Sequence, residues 1–220
     1  MIEKFTFRRV RTFDDIKPFD CADPDLNDFF HNESPHYASQ LLAVTYVFEN
    51  SAETISFFTV LNDTISKSSS DKNIFKRLSK AIPYKKRYHD FPAVKVGRLG
   101  VNSEYKREGI GTEMVDFIKG FFTDSNKTGC RFITVDAYNR PEVIDFYQND
   151  KFVFLTVKDT RAQNPPHVFR SYDIRQVVRR LTLTLCCKLC PFLCLSIHNL
   201  YSYSHLLSFP SRPSISALGI

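Results

Sequence analysis

Acidic residues stop at Asp173, only Cys21 and Cys130 carry thiols before residue 180, and no apolar run reaches the length of a membrane span. Each absence excludes something. Two isolated cysteines cannot make a disulfide framework, so a reducing cytoplasm is the expected compartment. The start, Met1-Ile2-Glu3-Lys4-Phe5, has neither the basic region nor the apolar stretch of a secretion signal. The most apolar segment, 181–197, is interrupted by Lys188 and Pro191 and falls short of the ~20 residues that span a bilayer, so no membrane contact is expected. Missing acid also marks a boundary. Beyond about residue 180 the chain turns to Leu, Cys, Ser, Tyr and Pro with no persistent helical or strand period. We therefore expect one folded domain over 1–180, without internal repeats, and an atypical Cys/Leu/Ser-rich tail over 181–220, poorly ordered. Within the tail, Cys186, Cys187, Cys190, Cys194, His198 and His205 lack the paired knuckles of a structural zinc site, so no metal is expected. The net charge of +6 overall, and +4 over 1–180, is mildly basic. It favours anionic partners but is far from histone-like.

What is present centres on 98–112. Residues 93–101 read as a strand, Lys106-Arg107-Glu108-Gly109-Ile110-Gly111 as a glycine-bearing turn, and 112–122, with Met114, Val115, Ile118 and Phe122 at helical spacing, as a helix. A strand, a turn and a helix start in succession make a phosphate site, because the first amides of a helix point outward with the positive end of its dipole behind them. Close strand-to-helix packing also calls for glycine, so the Gly-x-Gly alone decides nothing. Around this core, 5–11 reads as a first strand, and Asp23 caps a helix with Pro24 in its first turn and Leu26, Phe29 and Phe30 inward. Segments 41–48 and 54–61 pair as a hairpin. A serine-rich loop over 66–70 leads to a helix over 71–82 with Ile74, Leu78 and Ala81 or Ile82 inward and Lys72, Lys76, Arg77 and Lys80 outward. Residues 130–137 read as a second strand, 143–152 as a short helix closing onto a third, and 167–174 as the last strand, with 162–166 an inserted loop before it.

The turn resembles the Gln/Arg-x-x-Gly-x-Gly/Ala pattern of the GNAT superfamily of acyl-CoA-dependent N-acetyltransferases. The stretch 146–152, Phe-Tyr-Gln-Asn-Asp-Lys-Phe, resembles that family's Phe-Tyr-x-x-x-Gly-Phe signature. The fold implied is α/β (α+β), a GNAT-like mixed, mostly antiparallel central sheet with helices on both faces. Residues 19–30, with Phe19, Cys21, Leu26, Phe29 and Phe30, further resemble the Phe-x-Cys-Gly-x-x-x-Leu-x-x-(Trp/Phe)-Leu opening of GNAT toxins that acetylate aminoacyl-tRNA. The resemblance covers about residues 5–175 and departs at Ala22, Lys106 and Lys151, where the pattern has Gly, Gln or Arg, and Gly.

The resemblance implies acetyl-CoA as co-substrate and Tyr147 as the acid that protonates the departing sulfur, a role that suits a phenol because it is protonated at neutral pH. No Asp or Glu lies in 93–101, so the central strand carries no base. A lysine amine, with a pKa of about 10.4, needs one, whereas an α-amine at about 7.7–8.0 needs little help. That favours the α-amine of aminoacyl-tRNA, with Glu104, Asp136 or a water chain left open as the base. Main-chain groups of Arg107, Glu108, Gly109, Ile110, Gly111 and Thr112 are expected to cradle the diphosphate, with charge from Lys106 and Arg107, while Leu99, Val101 and Asn139 meet the pantetheine arm. Lys76, Arg77, Lys80, Lys85, Lys86 and Arg87 are candidates for tRNA phosphates. The toxin resemblance further implies a small DNA-binding antitoxin and a homodimer. Two alternatives remain open: a GNAT acetylating a small amine, peptide or protein, and a non-catalytic CoA-binding regulatory module.

Overall fold

The aromatic and β-branched runs of the first half pair as strands, and the sheet they start continues to the end of the domain. The computed structural model describes residues 2–68, 70–80, 82–84, 88–124, 127–155 and the backbone of 167–173. Its seven strands are β1 (Thr6–Arg9), β2 (Val44–Glu49), β3 (Thr54–Ser66), β4 (Asp90–Val101), β5 (Phe132–Tyr138), β6 (Val153–Phe154) and β7 (His167–Asp173). They lie in the order β1-β2-β3-β4-β5-β7-β6, and every neighbouring pair is antiparallel except β4 and β5. The expected mixed sheet is the one observed. The hairpin forms as β2 and β3, but β3 runs on to Ser66, into the segment read as a loop, because residues 62–66 pair with 90–94 of β4. Long-range pairing sets that end, which local propensity does not report.

Among the described residues five α-helices cover the sheet: α1 (Pro24–Asp28), α2 (Ser34–Ser39), α3 (Lys72–Ser79), α4 (Ile110–Thr123) and α5 (Pro141–Asn149). Asp23 caps α1 as expected, its Oδ1 accepting the amides of Asp25 and Leu26 at 3.1 and 3.3 Å. A wide turn over Phe29–Glu33 joins α1 to α2 and buries Phe29 and Phe30. Strand alternation then sorts the core. Val94, Val96, Ile133 and Val135 pack with Ile110, Met114, Val115, Ile118 and Tyr147 from α4 and α5 on one face. Val47 and Phe57 pack with Phe19, Phe29 and Phe30 on the other. A third cluster, Ile65, Phe75, Phe91 and Phe132, seats α3 at the start of β4. On α3 the lysines and Arg77 are exposed as expected, but the buried apolar residue is Phe75, with Ile74 and Leu78 half-buried.

One irregularity in β4 shapes everything near the site. Thr59 pairs with Arg98 and Val60 with Val96, so Gly97 is an extra residue in β4, and a Cβ there would lie 2.8 Å from the Leu61 side chain. Such a bulge reverses the alternation of the strand beyond it. Val94 and Val96 face α4, and past the bulge Leu99 and Val101 pack on that same side. Arg98 instead stacks its guanidinium 5.2 Å from the Phe29 ring, on the α1 face. Pairing between β4 and β5 ends at Val96 and Val135. Residues Met1–Val177 form one compact unit. The loop 162–166 and the whole of 181–220, with its Cys/His set, lie outside the described residues.

Candidate active site

Where β4 and β5 stop pairing, a cavity of about 950 Å³ opens, walled by residues 96–101 of β4 and 136–138 of β5. The turn leading into α4 supplies Lys106, Arg107, Gly109, Ile110, Gly111 and Thr112 to the same wall, and α5 supplies Tyr147. Of the sequence-predicted cofactor residues, only Glu108 and Asn139 are absent from the lining. Glu108 is exposed on the turn, and Asn139 follows the last residue of β5.

The turn is built by polar contacts. Asn102 is buried, accepts the Glu104 amide at 3.2 Å and donates to Glu53 at 3.2 Å. The Tyr105 hydroxyl donates to the other Glu53 oxygen at 2.9 Å, and that bond to a carboxylate, with burial, raises the Tyr105 pKa. Arg107 and Gly109 then adopt left-handed backbone, at φ 67° and 85°, and α4 begins. The two glycines of the turn differ in backbone and surroundings. A Cβ on Gly109 would meet nothing within 4 Å, so its main chain faces open space, whereas one on Gly111 would lie 3.4 Å from the Phe146 ring. Gly109 is called for by its left-handed backbone and leaves the helix start open, whereas a Cβ at Gly111 would make only an ordinary contact with Phe146. Lys106 donates to the Cys21 carbonyl, tying the turn to the segment before α1.

Tyr147 is 8% exposed, its ring 5.0 Å from that of Phe146 and 5.3 Å from that of Phe152. It is therefore both a core residue and a cavity wall. Its carbonyl accepts the Phe152 amide at 3.0 Å, and Lys151 between them is left-handed at φ 69°. Ala22 is left-handed too, at φ 56°. Both are positions where the resembled pattern has glycine, so the backbone keeps the conformation that glycine would adopt freely.

The opposite side of the cavity carries Cys21, Asp23, Asp25 and Leu26 around α1 and Arg98 and Tyr138 from the strands, none of which sequence reasoning gave a role in the site, together with Asp136, one of the candidate bases. Tyr138 donates to Asp25 at 3.3 Å, and burial followed by the charges of Asp23 and Asp25 raises its pKa. Lys95 donates to Asp136 at 3.0 Å. Burial also raises the pKa of the Cys21 thiol, which donates to the Asn27 side-chain Oδ1 at 3.2 Å, so it lacks the ready thiolate of a nucleophilic cysteine. The toxin-like opening at 19–30 was the signal that pointed here. The bulge that turns Arg98 toward Phe29 left none.

The basic candidates are elsewhere. Lys76, Arg77 and Lys80 lie on or just after α3, whose Phe75 stacks on Phe91 at 4.8 Å. From Phe91 to Leu99 is about 26 Å of strand at the usual rise, so the structure does not bring this set to the cavity. Lys85, Lys86 and Arg87 lie outside the described residues. Among the described residues no group of three or more His, Cys, Asp or Glu is arranged to hold a metal, and no helix is long and apolar enough to cross a membrane.

No family model matches the chain, and no curated protein matches it by sequence. Solved structures do. AtaT complexed with acetyl-methionyl-tRNAfMet aligns over 80% of this chain and 99% of its own, with a TM-score of 0.62 and 18% identity. The chain has the GNAT fold. A tyrosine-to-phenylalanine mutant of KacT aligns over 80% of this chain and 98% of its own at TM-score 0.60 and 18% identity. A tyrosine-to-phenylalanine mutant of the AtaT toxin, bound to the C-terminus of the antitoxin AtaR and acetyl-CoA, aligns over 81% and 98% at 0.60 and 16% identity. In all three the alignment takes in nearly the whole of the neighbour and about four-fifths of this chain.

Proposed function

We propose that this protein is an N-acetyltransferase that moves the acetyl group of acetyl-CoA to the α-amine of aminoacyl-tRNA. The observation that carries the reading is the composition of one cavity, in which an open left-handed turn at Gly109, the unpaired edge of β4 and Tyr147 meet. The residues present fit the donor. The first-turn amides of Ile110, Gly111 and Thr112 have no carbonyl one turn earlier to bond and suit a diphosphate. Beyond Val96 the β4 edge is free of β5, which leaves main-chain groups near Leu99 and Val101 for the pantetheine arm and the thioester carbonyl. Tyr147 supplies the proton that the leaving sulfur takes. AtaT, which shares the fold, was solved with acetyl-methionyl-tRNAfMet and with acetyl-CoA, and that supports the acceptor as well as the donor.

The same proposal includes a cytoplasmic location, a small DNA-binding antitoxin as partner, a homodimer, a catalytic domain ending near residue 180 and a tail that transfer does not need. Incubating the protein with labelled acetyl-CoA and a pool of charged tRNAs tests it. Label should appear on the amino acid of a charged tRNA and depend on charging. Label that lands on uncharged amines alone, or acetyl-CoA that binds without turnover, contradicts it.

A further inference from the structure

A base for the acceptor amine was left open among Glu104, Asp136 and water, and the register of β5 separates them. Glu104 is in the turn over Ser103–Tyr105 and does not line the cavity. Asp23 caps α1, Asp25 receives Tyr138, and Glu142 is exposed at the start of α5. Asp136 differs from all of these in where it sits. Val96 and Val135 are the last pair between β4 and β5, so Asp136 is the first β5 residue beyond the point where the strands part. Its neighbours Val135 and Ala137 pack in the core cluster that holds Tyr147. Side chains alternate along a strand, so Asp136 points to the other face of the sheet, the side of Cys21, Asp25 and Leu26. Both residues nevertheless line one cavity, which passes through the gap between the strands. A donor held on the α4 side and an acceptor entering from the α1 side would meet at that gap.

The Asp136 carboxylate is equipped for such a role. Its Oδ2 accepts Lys95 at 3.0 Å, and its side chain is 31% exposed in the cavity wall. Its other oxygen, Oδ1, is buried with no hydrogen-bond partner among the described residues, an arrangement that costs stability, so Oδ2 is the oxygen open to the cavity and to an incoming amine.

We propose that Asp136 is the catalytic base that takes the proton lost by the acceptor amine; the inference rests on the acetyl-transfer reading above. The step balances. As the amine nitrogen bonds to the thioester carbonyl carbon it acquires a positive charge and becomes far more acidic than a free ammonium, so a carboxylate is basic enough to take its proton. The carbon–sulfur bond then breaks, the sulfur takes a proton from Tyr147, and the products are an amide and CoA thiol. Solvent returns Asp136 to its carboxylate and Tyr147 to its phenol.

The test compares wild type with Asp136→Asn and Asp136→Ala, using acetyl-CoA and charged tRNA, with and without formate as an exogenous base. Asp136→Asn, which keeps the shape, should lower kcat by about 100-fold or more while the acetyl-CoA Kd stays within twofold. Formate should restore Asp136→Ala at least tenfold and leave Asp136→Asn, whose amide fills the space, unchanged. Asp136→Asn turnover within twofold of wild type overturns the assignment alone, as does a loss that formate does not relieve and that travels with weakened acetyl-CoA binding. A wild-type protein that labels no charged tRNA overturns the acceptor reading and this assignment with it.

Discussion

The Lys119 ammonium on α4 lies 3.2 Å from the Asp150 carboxylate at the end of α5, with side chains only 3% and 9% exposed. Asp116 also meets Lys119, at 3.0 Å. This ion pair joins the helix that starts at the Gly109 turn to the helix that carries Tyr147. Removing one partner of a buried pair strands a charge, so Asp150→Ala should cost about 3 kcal/mol in urea denaturation, the low end of the usual range because Asp116 remains. A double change to Lys119→Met and Asp150→Leu should recover most of that loss. Equal destabilisation by both would mean that the charges themselves hold the helices.

Ala22 and Lys151 occupy left-handed backbone that costs a non-glycine residue about 1–2 kcal/mol. Glycine regains flexibility in the unfolded chain, which offsets part of the gain. Lys151→Gly and Ala22→Gly should each therefore raise the thermal midpoint, by roughly 0.5–1 kcal/mol of stability. A lower midpoint for both would contradict the backbone reading.

These two positions also show what the sequence made legible. Each departs from a family pattern by one residue, and the structure keeps the glycine-like conformation at both. The glycine-bearing turn and the helix after it were legible because their determinants lie within a few residues of one another, although the helix begins at Ile110, inside the segment read as the turn, and not at Thr112. The bulge at Gly97 was not, because it arises from how β4 registers against β3, and without it the direction of Arg98 could not be known. The extension of β3 to Ser66 and the burial of Phe75 likewise depend on partners far along the chain, the strand β4 and Phe91.

Glu49, on β2, receives Arg8 and Lys17, each at 2.8 Å. Burial works against its charge, but the hydrogen bonds from Arg8 and Lys17 outweigh it and hold its pKa below the ordinary 4.5. A carboxyl whose pKa is lowered by folding contributes stability above its unfolded value, and that contribution is lost as pH falls through the folded value. Glu49→Gln should thus cost about 1–2 kcal/mol near neutrality, with the gap to wild type closing below pH 4.5. A gap that stays constant down to pH 3 would show that the charge of Glu49 contributes nothing.

The exposed cations of α3 offer a separate test of the acceptor. If Lys76, Arg77 and Lys80 contact tRNA phosphates, replacing all three with Glu should weaken tRNA binding and reduce its salt slope by about 2. Acetyl-CoA binding should not change, because α3 is seated at the far end of β4 from the cavity. Unchanged tRNA kinetics would remove this face from the acceptor site.

Single-turnover acetyl transfer by Tyr147→Phe is the most direct measurement of the whole account. Loss of the proton donor should slow transfer by about 100-fold or more, while the acetyl-CoA Kd, which the proposal assigns to the Gly109 turn, stays within twofold of wild type. Transfer at the wild-type rate would contradict it, since the Tyr147 hydroxyl would then have no part in the departure of the thiol.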